Sequence, residues 1–260
     1  MQRRSFLQSA AGAAFLPQAA APQAASPVLS RTRFYVFAYY KYRQGDQATR
    51  LHQFLSSQMP LFSKHMKACG VFTAVMAPHA QTTLVVAGFG GFDEVQSSAV
   101  EIAGDADYQK AHEEMEGASE PPFDSLERVV LAATDFSPEI APLSEKPKSP
   151  RYFELRVYHS PTARQLRILH QRFSGPEIQI FHRSGVHPIL YANTVFGPDM
   201  SNLTYFTPFA TLADRERAWS AFAADPEWIK ARDESIARGG QIVDYQNISL
   251  WRATAFSPMQ

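Results

Sequence analysis

The stretch LAATDF at 131–136 returns as WRATAF at 251–256, and LHQ at 51–53 returns as LHQ at 169–171. Both matches are offset by roughly 120 residues, which is far longer than a solenoid repeat. A period of that length corresponds to one small domain. The sequence therefore predicts that one module has been duplicated within the chain.

The proline-rich segment 137–150 separates the two copies and predicts an extended linker between modules at 31–136 and 151–257. In each copy the hydrophobic pattern predicts the order strand, helix, strand, strand, helix, strand. This βαββαβ order is the ferredoxin-like plan of the α+β class, with helices on one face of a four-stranded sheet. Because two such sheets can cover each other's bare faces, we expect a two-sheet, barrel-like core.

The first 30 residues stand outside the repeat. Arg3 and Arg4 form a twin-arginine pattern, followed by a short apolar stretch and a small-residue region. This pattern predicts a Tat-type signal peptide over 1–30, and with it a periplasmic or otherwise exported protein that meets the Tat translocase as a partner.

Composition narrows the classes of partner. Lys+Arg and Asp+Glu balance at 25 each, which argues against a nucleic-acid surface. The remainder of the chain contains no run apolar enough to predict a transmembrane segment. Cys69 is the single cysteine and lies among apolar residues, so we expect a buried, inert thiol.

One strand carries most of the polar residues that are candidates for a site. Over 152–158 apolar residues alternate with polar and aromatic ones. We expect the apolar face, formed by Phe153, Leu155 and Val157, to pack on the helices. The opposite face then points into the space between the sheets and carries Tyr152, Glu154, Arg156 and Tyr158.

These four residues, together with Tyr40 of the matching strand, form the predicted ligand pocket. An unpaired buried charge costs several kcal/mol. Glu154 and Arg156 therefore either pair with each other or hold a ligand. The aromatic lining would suit a flat or apolar molecule.

Histidines are the weak candidates for a metal site. His182 and His187 flank a turn, and His159 ends a predicted strand. Their spacing is not a usual zinc spacing, and stabilisation of a helix end is the simpler account of His182. The sequence requires no cofactor, and haem ligation by one of the histidines is the alternative.

The second copy resembles a known family. The residues that carry this resemblance are ELR at 154–156 with Tyr158, RERAW at 215–219 and ADPEW at 224–228. Together they are similar to the NIPSNAP family, and the first copy is a degenerate version. The resemblance implies the dimeric α+β barrel fold and no settled activity.

Two functions follow from these observations. We expect an exported NIPSNAP-like module that binds a small apolar or aromatic ligand or a partner. The alternative is a cofactor-independent monooxygenase or haem-modifying enzyme of the barrel type. Fused halves either complete a monomer or leave edges for a homo-oligomer, so the oligomeric state stays open.

Overall fold

The computed structural model describes residues 31–117, 120–140, 145 and 147–260. The predicted signal peptide at 1–30, and residues 141–144 and 146 of the predicted linker, lie outside the described residues. Among the helices that are described, none is both long and apolar enough to cross a membrane.

Each half of the described chain contributes four strands. The first half forms β1 (Phe34–Lys41), β2 (Ala68–Met76), β3 (Thr82–Phe89) and β4 (Ser125–Ala133). The second half forms β5 (Tyr152–His159), β6 (Leu190–Phe196), β7 (Asn202–Phe209) and β8 (Tyr245–Ala253).

The helices follow the same repeated plan. The first half forms α1 (Gln47–His65), α2 (Phe92–Gly104) and α3 (Ala106–Glu116). The second half forms α4 (Ala163–Arg172), α5 (Ile178–Ser184), α6 (Leu212–Ala224) and α7 (Pro226–Gly239). A one-turn π-helical segment, Phe173–Glu177, joins α4 to α5 at the Gly175-Pro176 pair.

Helix starts follow the capping residues of the sequence. Thr211 accepts a hydrogen bond from the backbone N–H of Asp214 at 3.1 Å and begins α6. Asp225 accepts from the backbone N–H of Trp228 at 3.2 Å, and Pro226 fills the first position of α7. Side-chain oxygens at these positions satisfy backbone donors that have no partner within the helix.

The eight strands close into one antiparallel barrel in the order β1-β3-β2-β8-β5-β7-β6-β4. Each half supplies four neighbouring strands. The halves join where β2 pairs with β8 and where β4 pairs with β6. This arrangement confirms the predicted fold class, two ferredoxin-like modules packed as a dimeric α+β barrel within one chain.

The barrel interior is apolar and aromatic. Phe72, Phe153 and Phe206 meet near its centre, with ring centroids 4.7 to 5.0 Å apart. Gly70 is required beside them, because a Cβ there would lie 2.7 Å from the Phe72 ring and from the Met259 sulfur. The three rings form an aromatic cluster within the barrel core.

Two further cores lie outside the barrel wall, between each half-sheet and its own helices. The first is built around Leu51, Leu55 and Val71, and the second around Phe173, Phe181 and Tyr205. We call the second one the second-module layer.

The predicted orientation of β5 was wrong. Phe153 and Leu155 belong to the barrel interior, whereas Tyr158 belongs to the second-module layer. The eight paired strands close a continuous wall around the interior, and apolar residues form most of its core. The helix layer instead opens to solvent at its margin, where charged side chains keep part of their hydration.

Candidate functional site

A large cavity lies at the end of the barrel where β1 and β5 terminate. Its volume is about 790 Å³, and both halves of the chain line it. We call it the mouth cavity. Apolar side chains form its floor: Phe37, Tyr39, Val129, Leu131, Leu155, Val157 and Trp251.

Tyr39 and Trp251 provide the aromatic surface of this floor. Their ring centroids lie 5.9 Å apart, and the planes are tilted by 53°. The indole N–H of Trp251 donates to the Ser249 hydroxyl at 2.8 Å, which fixes the ring. Tyr39 comes from the first half and Trp251 from the second, so neither module forms this surface alone.

Paired polar groups surround the opening of the mouth cavity. Lys41 donates to Glu127 at 2.8 Å on one side. On the other side Asp199 accepts from the Tyr245 hydroxyl at 3.0 Å and from the Asn247 amide at 2.9 Å. These bonds hold the charged and amide groups of the rim in place around the apolar floor.

The Tyr39 hydroxyl stays protonated at neutral pH. Burial raises the pKa of Tyr39, and the nearby Glu127 carboxylate raises it further. A neutral phenol inside the cavity is a hydrogen-bond donor. It is therefore suited to an oxygen or nitrogen acceptor on a bound molecule.

A smaller cavity of about 440 Å³ lies at the opposite end of the barrel. Residues 138–140 and 258–260 cover it, and Cys69 is part of its wall. Burial raises the pKa of Cys69 to about 12, so the thiol is protonated and unreactive.

The predicted site residues on β5 form a buried ionic cluster. Glu154 is 1% exposed and accepts hydrogen bonds from Arg156 and from Arg215 of α6, one to each carboxylate oxygen. Arg156 also donates to the Tyr158 hydroxyl at 3.1 Å. Its guanidinium carbon lies 3.6 Å from the centre of the Trp219 ring, which is a close cation–π contact.

This cluster matches the pairing alternative drawn from the sequence, in which Glu154 and Arg156 satisfy each other. Arg215 is an additional partner that the sequence did not indicate. The cluster lies between β5 and α6, so it does not line the space inside the barrel. A ligand-binding role for Glu154, Arg156 and Tyr158 stays a prediction.

Tyr40 and Tyr152, the other two residues of the predicted pocket, lie outside the ionic cluster. Tyr40 faces the helices of the first half, where its ring lies 5.1 Å from Phe123. Tyr152 lies against Arg252, with the guanidinium 5.1 Å from the ring centre. The prediction that Tyr40 shares one pocket with Glu154 was wrong, because both side chains point out of the barrel, Tyr40 onto the helices of the first half and Glu154 onto α6 of the second.

The three histidines predicted as weak candidates for a metal site lie in two separate parts of the structure. The rings of His182 and His187 stack at 5.2 Å, whereas His159 bonds to Asp244 at 2.6 Å and stacks on Tyr245. Across the described residues, no group of three or more His, Cys, Asp or Glu side chains could hold a metal ion.

Two half-buried histidines, His52 and His170, contact the sheet. His52 bonds through Nε2 to the Thr83 hydroxyl, and His170 bonds through Nε2 to the Asn193 side-chain oxygen, both at 2.8 Å. These bonds tie α1 to β3 and α4 to β6.

Comparison with known proteins supports the family resemblance for the second half. Residues 153–258 match the NIPSNAP family model, which is less than half of the chain. The resemblance drawn from the motifs of the second copy is therefore confirmed there. No curated protein sequence matches the chain.

Three solved structures share the whole barrel. One is described as a putative monooxygenase from Fusobacterium nucleatum subsp. nucleatum ATCC 25586, with 6% identity, a TM-score of 0.56, and coverage of 86% of this chain and 93% of that one. Another, described as a putative monooxygenase from Lactobacillus acidophilus NCFM, has 9% identity and a TM-score of 0.54 over 85% and 94%. An anthrone oxidase-like protein has 10% identity and a TM-score of 0.52 over 88% and 94%. At such identities they establish the fold alone.

Proposed function

We propose that this protein binds a small amphipathic organic molecule in the mouth cavity. The observation that carries the proposal is a cavity of about 790 Å³ inside the barrel, with an apolar floor and a polar rim. Sites for small molecules commonly have volumes of roughly 300–1,000 Å³, mostly apolar walls and a few well-placed polar groups.

The walls define the chemistry of the ligand. A flat or aliphatic body would lie against Tyr39, Trp251 and Val157 and replace water there. An acceptor atom would receive a hydrogen bond from the Tyr39 phenol. A polar end would remain at the rim, near the Lys41–Glu127 pair, where charged groups stay hydrated.

The proposal is tested with N-phenylnaphthylamine, a neutral apolar probe whose fluorescence rises when it leaves water. Wild-type protein should bind it saturably. Val157→Phe places additional ring volume in the cavity and should weaken binding at least about ten-fold, because steric exclusion removes apolar contact area.

The matched control is Val100→Phe. Val100 is 67% exposed on α2, so the same change there should leave the affinity unaltered. Native mass spectrometry of protein purified from its own cells would then show whether a natural ligand co-purifies, and Val157→Phe should reduce it. Equal binding by the wild type and Val157→Phe would refute the mouth cavity as the site.

The alternative proposal is a cofactor-independent monooxygenase or haem-modifying enzyme. It is supported by the shared fold with the two proteins described as putative monooxygenases. Its test is oxygen consumption when the co-purified ligand is added back. Turnover that Val157→Phe abolishes would favour the enzyme, whereas binding without turnover would favour a carrier or sensor.

Export through the Tat route belongs to the same proposal and is supported by the Arg3-Arg4 pattern of the sequence. Cell fractionation of the wild type and of Arg3→Lys/Arg4→Lys provides the test. The paired substitution should retain the protein inside the cytoplasm. An unchanged distribution would contradict this route.

A further inference from the structure

The turn between β6 and β7 reaches from β4 to β8 at the opening of the mouth cavity. At one end, Gly197 lies so close to β4 that an added Cβ would come within 2.8 Å of a Val129 methyl carbon, and its φ of +148° is rare for residues with a side chain. At the other end, Asp199 bonds to Tyr245 and Asn247 of β8. The turn therefore holds the Asp199 carboxylate in a fixed place at the rim, where it lines the cavity.

The partners of the Asp199 carboxylate are neutral groups. The Tyr245 hydroxyl donates to Oδ1 at 3.0 Å, and the Asn247 amide donates to Oδ2 at 2.9 Å. Within the described part of the chain, no Lys, Arg or His side chain forms an ion pair with this carboxylate. Because each carboxylate oxygen can accept more than one hydrogen bond, both oxygens retain the capacity to accept from a bound molecule.

The charges that line the mouth cavity favour a positive ligand. Lys41 is the only Lys or Arg among the described lining residues, and its ammonium group already donates to Glu127 at 2.8 Å. His79 is exposed at the rim, and its Nδ1 is bonded to the Gln81 carbonyl. Since Lys41 and Glu127 offset each other, Asp199 leaves one negative charge at the rim. Complementarity therefore selects a cation and disfavours a carboxylate.

Strand geometry sets the length of a molecule that would extend from this carboxylate to the floor. Asn247, which bonds to Asp199, and Trp251 lie four residues apart on the cavity face of β8. Four residues of an antiparallel strand span about 13 Å. An alkyl or aryl body of up to this length can therefore lie along the apolar floor while its charged end remains at Asp199.

We propose that the mouth cavity selects amines, with the ammonium group bonded to Asp199 and the apolar body lying on the floor. This inference rests on the proposed function, because it names the class of molecule that the cavity binds. The polar end at the rim is then the ammonium group. An ammonium group bonds to a carboxylate more strongly than a hydroxyl does, because both partners are charged. An alcohol of the same length should bind more weakly, and a carboxylate would meet the negative charge of Asp199.

The test compares three ligands that share one octyl chain: octylamine, 1-octanol and octanoate. Each ligand competes with N-phenylnaphthylamine for the wild-type protein at pH 7, at concentrations below those at which it forms micelles. Octylamine should displace the probe at concentrations at least about ten-fold lower than 1-octanol, because hydrogen bonds to charged groups are stronger than those between neutral groups. Octanoate should be the weakest competitor.

Asp199→Asn removes the charge and keeps the size of the side chain. Asp199 has a φ of 59°, a conformation that asparagine tolerates better than most residues, so the turn should be retained. Each displacement is expressed relative to 1-octanol on the same protein, so that a change in cavity packing cancels. The preference for octylamine should disappear. Asp107→Asn is the matched control, because it removes the same charge from an exposed position on α3, and it should keep the preference.

Failure of the cavity and failure of the amine preference give different results. If N-phenylnaphthylamine shows no saturable binding to the wild type, the mouth cavity is not a ligand site and this inference is overturned with it. If the probe binds but octylamine displaces it no better than 1-octanol, only the selection of amines is overturned. The same conclusion follows if Asp199→Asn and Asp107→Asn show equal preferences for octylamine.

Discussion

The ionic cluster on β5 yields the sharpest stability prediction, because the first module supplies its natural apolar counterpart. Glu154→Val and Arg156→Ala copy the residues of the matching strand, Val36 and Ala38. The two single variants and the double variant form a thermodynamic cycle that measures how strongly Glu154 and Arg156 are coupled.

The magnitude follows from burial. Glu154 is 1% exposed and Arg156 is 12% exposed, so breaking this pair belongs to the range of about 3–5 kcal/mol for buried ion pairs. Arg156 keeps its Tyr158 bond and its Trp219 contact, and Arg215 keeps Glu216. We therefore expect Glu154→Val to cost about 3 kcal/mol, at the lower end of that range.

The double variant should cost no more than the larger single one, since it removes the stranded charge together with its partner. The coupling energy should then be about 2–3 kcal/mol. Urea unfolding followed by far-UV circular dichroism measures all four proteins. The exposed pair Lys230–Glu234 is the control, and its removal should cost about 0.5 kcal/mol or less. Strictly additive losses at Glu154 and Arg156 would refute a coupled buried pair.

Two other predictions concern pH and backbone conformation. Burial lowers the pKa of His52 and of His170 below 6.5, so their contribution to the free energy of unfolding is present above that pH and is lost as the pH falls. His170→Gln should flatten the fall in stability between about pH 7 and 5; an unchanged slope would contradict this. Gly185 ends α5 with φ +89°, so Gly185→Ala should cost about 1–2 kcal/mol in urea unfolding, whereas Gly104→Ala should be tolerated because no atom lies within 4 Å of its added Cβ. Equal losses would argue against the left-handed turn.

The repeat predicts the architecture well because packing constrains both copies in the same way. LAATDF and WRATAF mark β4 and β8, which occupy equivalent places in the two halves of the barrel. Capping residues such as Thr211 and Asp225 give the helix starts, since each satisfies local backbone donors. The break between α4 and α5 is less visible, although Gly175-Pro176 is its signal.

The candidate site is harder to predict for a topological reason. Alternation along β5 shows which residues share a face, but not which face looks inward. The prediction placed the polar face of β5 inside the barrel, and with it Tyr40 on the matching strand β1. The opposite face of each strand points inward, so Tyr39 lines the mouth cavity instead. Tyr39 and Trp251 meet only because β2 pairs with β8 and closes the barrel, a contact between residues far apart in sequence.

The duplication thus has different consequences for the mouth cavity and for the Glu154 cluster. The mouth cavity takes Tyr39 and Glu127 from the first half and Val157 and Trp251 from the second, so it exists only where two modules close a barrel. The Glu154 cluster uses side chains of 153–258 alone, the span that matches the NIPSNAP family model. A chain with only that module would retain the ionic cluster and would need a second copy to build the cavity. Fusing two unequal modules fixes one asymmetric cavity, whereas pairing identical chains would give a symmetric one.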